Sequence, residues 1–170
     1  SRIQSGLPNT QLFIVDPATA RREAVALAQA AQGAYSRATL VFTRFDISGS
    51  NTKRYRGGML QQLWLWDGGK AEAKKLMPSD SAGSRTPMVW NGRVYFVGDR
   101  DLNFNLWSVK LNGTDAKQPT FHKGFDVLGA ALSDGHIVYQ LGADLRVYDI
   151  ATNTDASLDI RLATDLDQER

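Results

Sequence analysis

The sequence predicts an all-β fold, namely a β-propeller fragment of four-stranded antiparallel blades, about three and a half blades in all. The first observation is a strand motif of a polar residue, a leucine and an apolar run, which occurs four times, at Leu12, Leu63, Leu106 and Leu145. The leucines are 51, 43 and 39 residues apart. Such spacings are typical of propeller blades, whose sequences repeat about every 40–50 residues.

The second observation is an apolar strand ahead of three of these motifs. These strands cover residues 40–42, 94–96 and 137–139 and are rich in β-branched and aromatic side chains, as strands prefer. The third observation is the turn chemistry, since Asn91-Gly92 and Asp134-Gly135 tolerate the positive φ of tight hairpins. Closely spaced hairpins indicate antiparallel sheets.

The repeat predicts a division into blades. Residues 1–32 hold the last two strands of one blade, and 33–78, 79–122 and 123–163 each form a complete blade. Residues 164–170 form an exit linker. Residues 20–32 are Ala-rich and by propensity alone would form a helix. Their place in the repeat is that of an outer strand, and we expect the repeat to prevail.

One blade carries an insertion of about 11 residues between its second and third strands, at 46–58. It contains Lys53, Arg54 and Arg56, followed by Gly57-Gly58. The two guanidinium groups are suited to a carboxylate or phosphate. We therefore expect Lys53, Arg54 and Arg56 to form an anion-binding cluster, and the family resemblance described below implies that it binds peptides near the central channel. The alternative is an ordinary solvated surface loop.

Several segments resemble the first, six-bladed propeller of the tricorn protease family. The most specific are the runs from Lys53 to Gly58 and from His122 to Val127, with a looser likeness from Val94 to Asp101. The resemblance covers essentially the whole chain and about half of that propeller. Where relatives often carry Gly, this chain has Leu102, which argues against a positive-φ turn there.

The resemblance implies a large cytosolic serine peptidase that degrades oligopeptides, with its catalytic residues in a separate domain. The propeller is then a non-catalytic segment for substrate gating, anchoring of the peptide C-terminus by Lys53-Arg54, and assembly. The expected partners are peptides and the remaining domains of the parent chain. The alternative is a TolB-like protein-interaction scaffold with no peptidase parent.

No catalytic residue is expected in this chain. A Gly-x-Ser-x-Gly motif is missing, and the two histidines, His122 and His136, are interpreted as structural, with Asp126 as a candidate partner of His122. Phe104 and Lys110 stand where a calcium loop needs Gly and Glu. That argues against calcium at an alternating set of Asp99, Asp101, Asn103 and Asn105. No metal and no cofactor are expected.

The composition of the chain argues against several classes of protein. The net charge is +2, from 20 basic and 18 acidic side chains, which argues against a protein whose whole surface binds nucleic acid and leaves a local basic patch open. There is no cysteine and no apolar run of membrane-spanning length. We expect a cytoplasmic protein, with the periplasm left open. Because residue 1 is Ser, the chain is expected to be cut from a longer protein, and its open blade edges are expected to drive self-association.

Overall fold

The computed structural model of the chain describes residues 10–46, 53–69 and 72–160, and the regular elements in these residues are all β-strands. The strands are, in chain order, β1 Phe13–Val15, β2 Arg22–Ala24, β3 Gly33–Ser36, β4 Thr39–Thr43, β5 Leu63–Trp66, β6 Lys74–Lys75, β7 Ser84–Trp90, β8 Arg93–Gly98, β9 Asn105–Lys110, β10 Val127–Ser133, β11 His136–Leu141, β12 Asp144–Asp149 and β13 Thr154–Ser157.

The strands form four antiparallel sheets, and within each sheet the spatial order follows the chain order. The sheets are β1-β2, β3-β4-β5-β6, β7-β8-β9 and β10-β11-β12-β13. In the third sheet, a single bridge between Ser108 and Lys117 occupies the place of an outer strand. This confirms the predicted fold class, a fragment of a propeller with antiparallel blades. The blade boundaries stay predictions, and residues 1–9 and 161–170 lie outside the described residues.

Residues 20–32 contain strand β2 and no helix. Phe13 pairs with Ala24 and Val15 with Arg22. The turn between the two strands is closed by Asp16, whose carboxylate accepts hydrogen bonds from the Ala18 amide at 2.9 Å and from the Thr19 hydroxyl at 2.7 Å. Pairing with β1 satisfies the backbone groups of β2, so tertiary context outweighs the helix propensity of the alanines.

The core lies between the sheets, in three clusters. The first two sheets enclose a cluster that includes Leu40 and Phe42, and the second and third enclose one that includes Val41 and Phe96. Between the third and fourth sheets lies a cluster that contains Tyr139. Face-to-face packing of consecutive sheets is the arrangement of propeller blades.

The first strands of the three larger sheets, β3, β7 and β10, lie beside one another. Both β7 and β10 carry a register shift, and Thr86 and Gly129 inside these irregularities have φ of 53° and 56°. The Thr86 amide, displaced from the ladder, donates a hydrogen bond of 2.7 Å to Oε1 of Gln32 from the preceding sheet. A β-branched residue is unusual at positive φ, and this contact supports it.

Leu102 corrects one expectation. It lies between β8 and β9 with φ of 83°, so the turn adopts the positive-φ conformation although a leucine replaces glycine. The flanking residues hold the turn, because Asn103 and Asn105 both donate to the carbonyl of His122, at 3.3 and 3.1 Å. Tertiary hydrogen bonds thus impose a backbone conformation that the side chain disfavours.

Candidate anion-binding site

The predicted basic cluster lies between β4 and β5, at the edge of the sheets where second strands lead into third strands. We call this edge the connector edge, since the links between sheets also run along it. Residues 53–58 of the 46–58 insertion are described, whereas 47–52 lie outside the described residues. The backbone turns at Arg54, which has φ of 59°.

Asp99 fixes this backbone turn. Its carboxylate is 3% exposed and accepts hydrogen bonds from the Arg54 amide at 2.6 Å and from the Gly83 amide at 2.8 Å. Nη1 of Arg56 lies 3.5 Å from the same carboxylate oxygen that the Arg54 amide contacts. Because Asp99 follows β8, it ties residues 54–56 of one sheet to the next sheet.

Lys53 is held by a second carboxylate. Its Nζ lies 3.0 Å from Oδ1 of Asp126 and donates to Oδ1 of Asn103 at 3.3 Å. Asp126 also accepts from the amide of Phe104 at 3.0 Å. The Lys53 ammonium therefore links the insertion to the turn after β8 and to the segment before β10.

Arg54 differs from its two neighbours. Its side chain is exposed, and its guanidinium has no hydrogen bond or ion pair to any residue that the structure describes. Of the three predicted cations, Lys53 and Arg56 are thus neutralised by Asp126 and Asp99, whereas Arg54 has no such partner among the described residues. A guanidinium with five free donors can bind a carboxylate or phosphate in a bidentate manner.

Sequence reasoning missed a fourth cation, Arg85 on β7. Its side chain is 5% exposed, and its guanidinium lies 3.7 Å from the centre of the Phe104 ring. Burial lowers the pKa of Arg85, and the charges of Asp126 and Asp99 oppose that shift. The two aspartates therefore face cations from β7 as well as from the insertion. The feature that sets Arg85 apart is the register shift between Arg85 and Met88 in β7. This shift becomes visible only when the pairing of β7 with β8 is known.

The side chain of His122 contacts Tyr139 and Asp155 and not Asp126, the partner that the sequence suggested. Its Nε2 lies 2.8 Å from the hydroxyl of Tyr139 and 3.2 Å from Oδ2 of Asp155, whereas Asp126 binds Lys53. Arg146 contacts both oxygens of Asp155 through Nε, at 3.1 and 3.2 Å. Burial lowers the pKa of His122 and raises that of Tyr139. This network joins the third and fourth sheets.

The alternating residues from Asp99 to Asn105 are hydrogen-bonded to protein groups. Oδ2 of Asp101 accepts from the side-chain amide of Asn105 at 3.2 Å, and Oδ1 of Asn105 accepts from the backbone amide of His122 at 2.8 Å. Within the described part of the chain, no group of three or more His, Asp or Glu side chains could hold a metal ion. Within the same part, no helix is long and apolar enough to cross a membrane.

Comparison with protein families gives a match over residues 1–154 to the tricorn protease N-terminal β-propeller domain. Among curated proteins, a tricorn protease homolog of Saccharolobus solfataricus is 34% identical over 115 residues, which is 68% of this chain and 11% of that protein. The putative tricorn protease homolog 2 of Streptomyces coelicolor is 34% identical over 113 residues, covering 65% of this chain and 9% of that protein.

Solved structures give the same fold. The crystal structure of the tricorn protease matches with a TM-score of 0.76 at 20% identity, over 92% of this chain and 15% of that one. TolB from Acinetobacter baumannii matches with a TM-score of 0.62 at 16% identity, over 92% of this chain and 39% of that one. By length, the chain spans about a tenth of each of the two tricorn protease homologs compared by sequence.

Proposed function

Because the chain belongs to the family of tricorn protease N-terminal β-propeller domains, we propose that it gates substrates and anchors the peptide C-terminus in a tricorn-like serine peptidase that degrades oligopeptides. Its partners are peptides and the remaining domains of the peptidase, with which it assembles in the cytoplasm. The likeness to TolB is one of fold alone and does not favour a separate interaction scaffold.

The observation that carries the anchoring role is the difference among the three adjacent cations. Asp126 and Asp99 neutralise Lys53 and Arg56, and in doing so they fix the backbone on both sides of Arg54. Arg54 is left as an exposed guanidinium on a rigid support. The fixed backbone removes part of the entropy cost of binding, and the planar guanidinium can bind a carboxylate through two hydrogen bonds, which favours binding of a chain terminus.

The test compares peptides that differ only in their terminal carboxylate. In the full-length peptidase, Arg54→Ala should lower kcat/KM for peptides with a free C-terminus about 5- to 30-fold, since one charge-assisted hydrogen bond contributes about 1–2 kcal/mol. The same peptides with an amidated C-terminus should be processed at nearly unchanged rates. An equal loss for both peptide classes would rule out the carboxylate role.

The chain supplies a matched control in Arg37. It is also an exposed arginine at positive φ, with φ of 55°, but it lies in the turn between β3 and β4, at the opposite edge of the same sheet. Arg37→Ala should leave both peptide classes unaffected. A similar loss with Arg37→Ala would indicate a general effect of net charge.

We also propose that the catalytic groups lie outside this chain. His122 is occupied by Tyr139 and Asp155, and the pKa of that histidine is lowered, so it has no serine to activate among these contacts. Incubation of the isolated chain with fluorogenic peptides should therefore match the buffer blank. Hydrolysis that copurifies with the chain and disappears on His122→Gln would contradict this.

A further inference from the structure

Large apolar side chains are exposed along the connector edge beside Arg54. Leu102 is 55% exposed, Phe121 70% and Phe125 63%, and Tyr55, next to Arg54 in the chain, is 40% exposed. Exposed apolar side chains that lie close together are a common feature of binding surfaces. We call these four residues the apolar rim.

A single hydrogen-bonded network links Lys53 to the chain neighbours of Leu102, Phe121 and Phe125. Asn103, next to Leu102, accepts from Lys53 at 3.3 Å and donates to the carbonyl of His122, which follows Phe121. Asp126, next to Phe125, pairs with Lys53 at 3.0 Å. Lys53 precedes Arg54, so the backbone of Arg54 lies next to the network that holds the chain neighbours of Leu102, Phe121 and Phe125.

The two phenylalanines are held in fixed positions although their rings are exposed. Phe121 lies between Thr120 and His122, and both donate to Oδ1 of the buried Asn105, at 3.0 and 2.8 Å. The ring of Phe125 packs on Gly142, where an added Cβ would lie 3.3 Å from it. Aromatic side chains on a fixed backbone bind partners at low entropic cost.

Leu102 adds a second indication. A leucine with φ of 83° is strained, and its side chain, more than half exposed, recovers little of that cost by burial. Strain of this kind persists where the surrounding structure enforces it, and it is concentrated at binding sites. The strained conformation presents an apolar side chain at the surface, next to Asn103 of the network.

We propose that the apolar rim binds the side chains that precede the C-terminal carboxylate of a peptide, so that the site selects peptides with apolar C-terminal segments. The inference rests on the anchoring role of Arg54. Charge complementarity identifies the occupant. Arg54 is a cation without a partner among the described residues, and the apolar rim belongs to the same edge. A peptide end with one carboxylate and apolar side chains matches both features.

The test uses four N-terminally labelled hexapeptides, ending in Leu-Phe or in Ser-Ser, each with a free or an amidated C-terminus. Fluorescence anisotropy gives Kd for the wild-type protein, for Phe125→Ser and for Phe13→Ser. Phe13 is 55% exposed on β1 and is not part of the network, which makes it the matched control. We expect Phe125→Ser to weaken binding of the free Leu-Phe peptide about fivefold, as for partial loss of a buried phenylalanine, and to leave the Ser-Ser peptide unchanged.

The peptide set separates this inference from the proposed function. Equal affinity for free and amidated peptides in the wild-type protein would refute the anchoring role of Arg54. Preference for free peptides without preference for Leu-Phe would refute the role of the apolar rim alone. If light scattering shows that Phe125→Ser abolishes a dimer that excludes peptide, the rim is an interface between copies and the inference is wrong. Phe121→Ser replaces Phe125→Ser if circular dichroism shows the latter unfolded.

Discussion

The second strands of the third and fourth sheets, β8 and β11, have similar apolar sequences but different environments. In β8, Val94, Tyr95 and Phe96 are all buried, because the sheets before and after it cover both faces. In β11, one position in two is buried, and Val138 between Ile137 and Tyr139 is 38% exposed. The exposed face of β11 carries Val138 between the polar His136 and Gln140, so it is less apolar than the face of β8 that holds Val94 and Phe96.

This difference shows that an apolar strand in a propeller is buried on a given face only where a neighbouring sheet packs against that face. The open face of the fourth sheet includes Leu128 and Leu145, which are 39% and 40% exposed. Both lie opposite Gln140 in the register, on the same side as Val138. The open face therefore presents Leu128, Val138 and Leu145 around Gln140, and these apolar side chains suit the packing of a further sheet.

The largest effect should come from a doubly covered position. Phe96→Ala should lower the free energy of unfolding by about 3–5 kcal/mol, because it leaves a cavity between two sheets. Val138→Ala on the open face should change it by less than about 0.5 kcal/mol. Urea unfolding followed by circular dichroism measures both, and similar losses would mean that the open face is covered in solution.

A second measurement addresses what covers the open face. We propose that the chain self-associates through it, so light scattering after size-exclusion chromatography should show a concentration-dependent dimer. Val138→Lys should raise the dissociation constant at least about tenfold, since a buried unpaired charge costs several kcal/mol. Ala151→Lys, in a turn of the same sheet, should have no effect. A wild-type protein that is monomeric at high concentration would refute this.

The smallest effect concerns the covered face of β11, where His122 meets Tyr139. Burial lowers the pKa of His122 in the folded state. As the pH falls below about 6.5, the ordinary pKa of histidine, the unfolded chain therefore takes up a proton more readily than the folded chain. Stability should be fully present above that pH and decrease below it.

The control for this dependence is the other histidine. His122→Gln should flatten the stability profile between pH 7 and pH 5 relative to the wild type, as measured by urea unfolding at each pH. His136→Gln is the comparison variant, because His136 is half exposed, contacts the carbonyl of Asp134 and lies 3.6 Å from Oδ2 of Asp149. A wild-type profile without slope in this range would exclude a proton-linked contribution from His122.

The repeat predicted the fold because its signals are local. The turn at Asn91-Gly92 is a hairpin as expected, with φ of 46° and 74°. Of the motif leucines, Leu63, Leu106 and Leu145 lie in the third strands of their sheets, and Leu12 lies directly before β1. Strand β2 was predictable only from its position in the repeat. The concentration of positive charge at residues 53–56 is likewise a local feature, which the sequence shows directly.

The pairing of charges could not be predicted, because it depends on residues 43 to 73 positions away along the chain. Asp99 and Asp126 carry no local sign that they neutralise Arg56 and Lys53. The partner of His122 was wrongly expected to be Asp126, which is four residues away, whereas Asp155 reaches it across a sheet. The positive φ of Leu102 likewise results from contacts made by its neighbours.

The hydrogen bond from the Thr86 amide to Gln32 has a consequence for how such a protein evolves. Gln32 lies just before the first strand of one repeat, and Thr86 lies inside the first strand of the next. A gene duplication or recombination that moves one repeat alone would separate the donor from its acceptor and leave a strained threonine unsupported. Adjacent repeats are therefore expected to be inherited together, and to diverge as pairs.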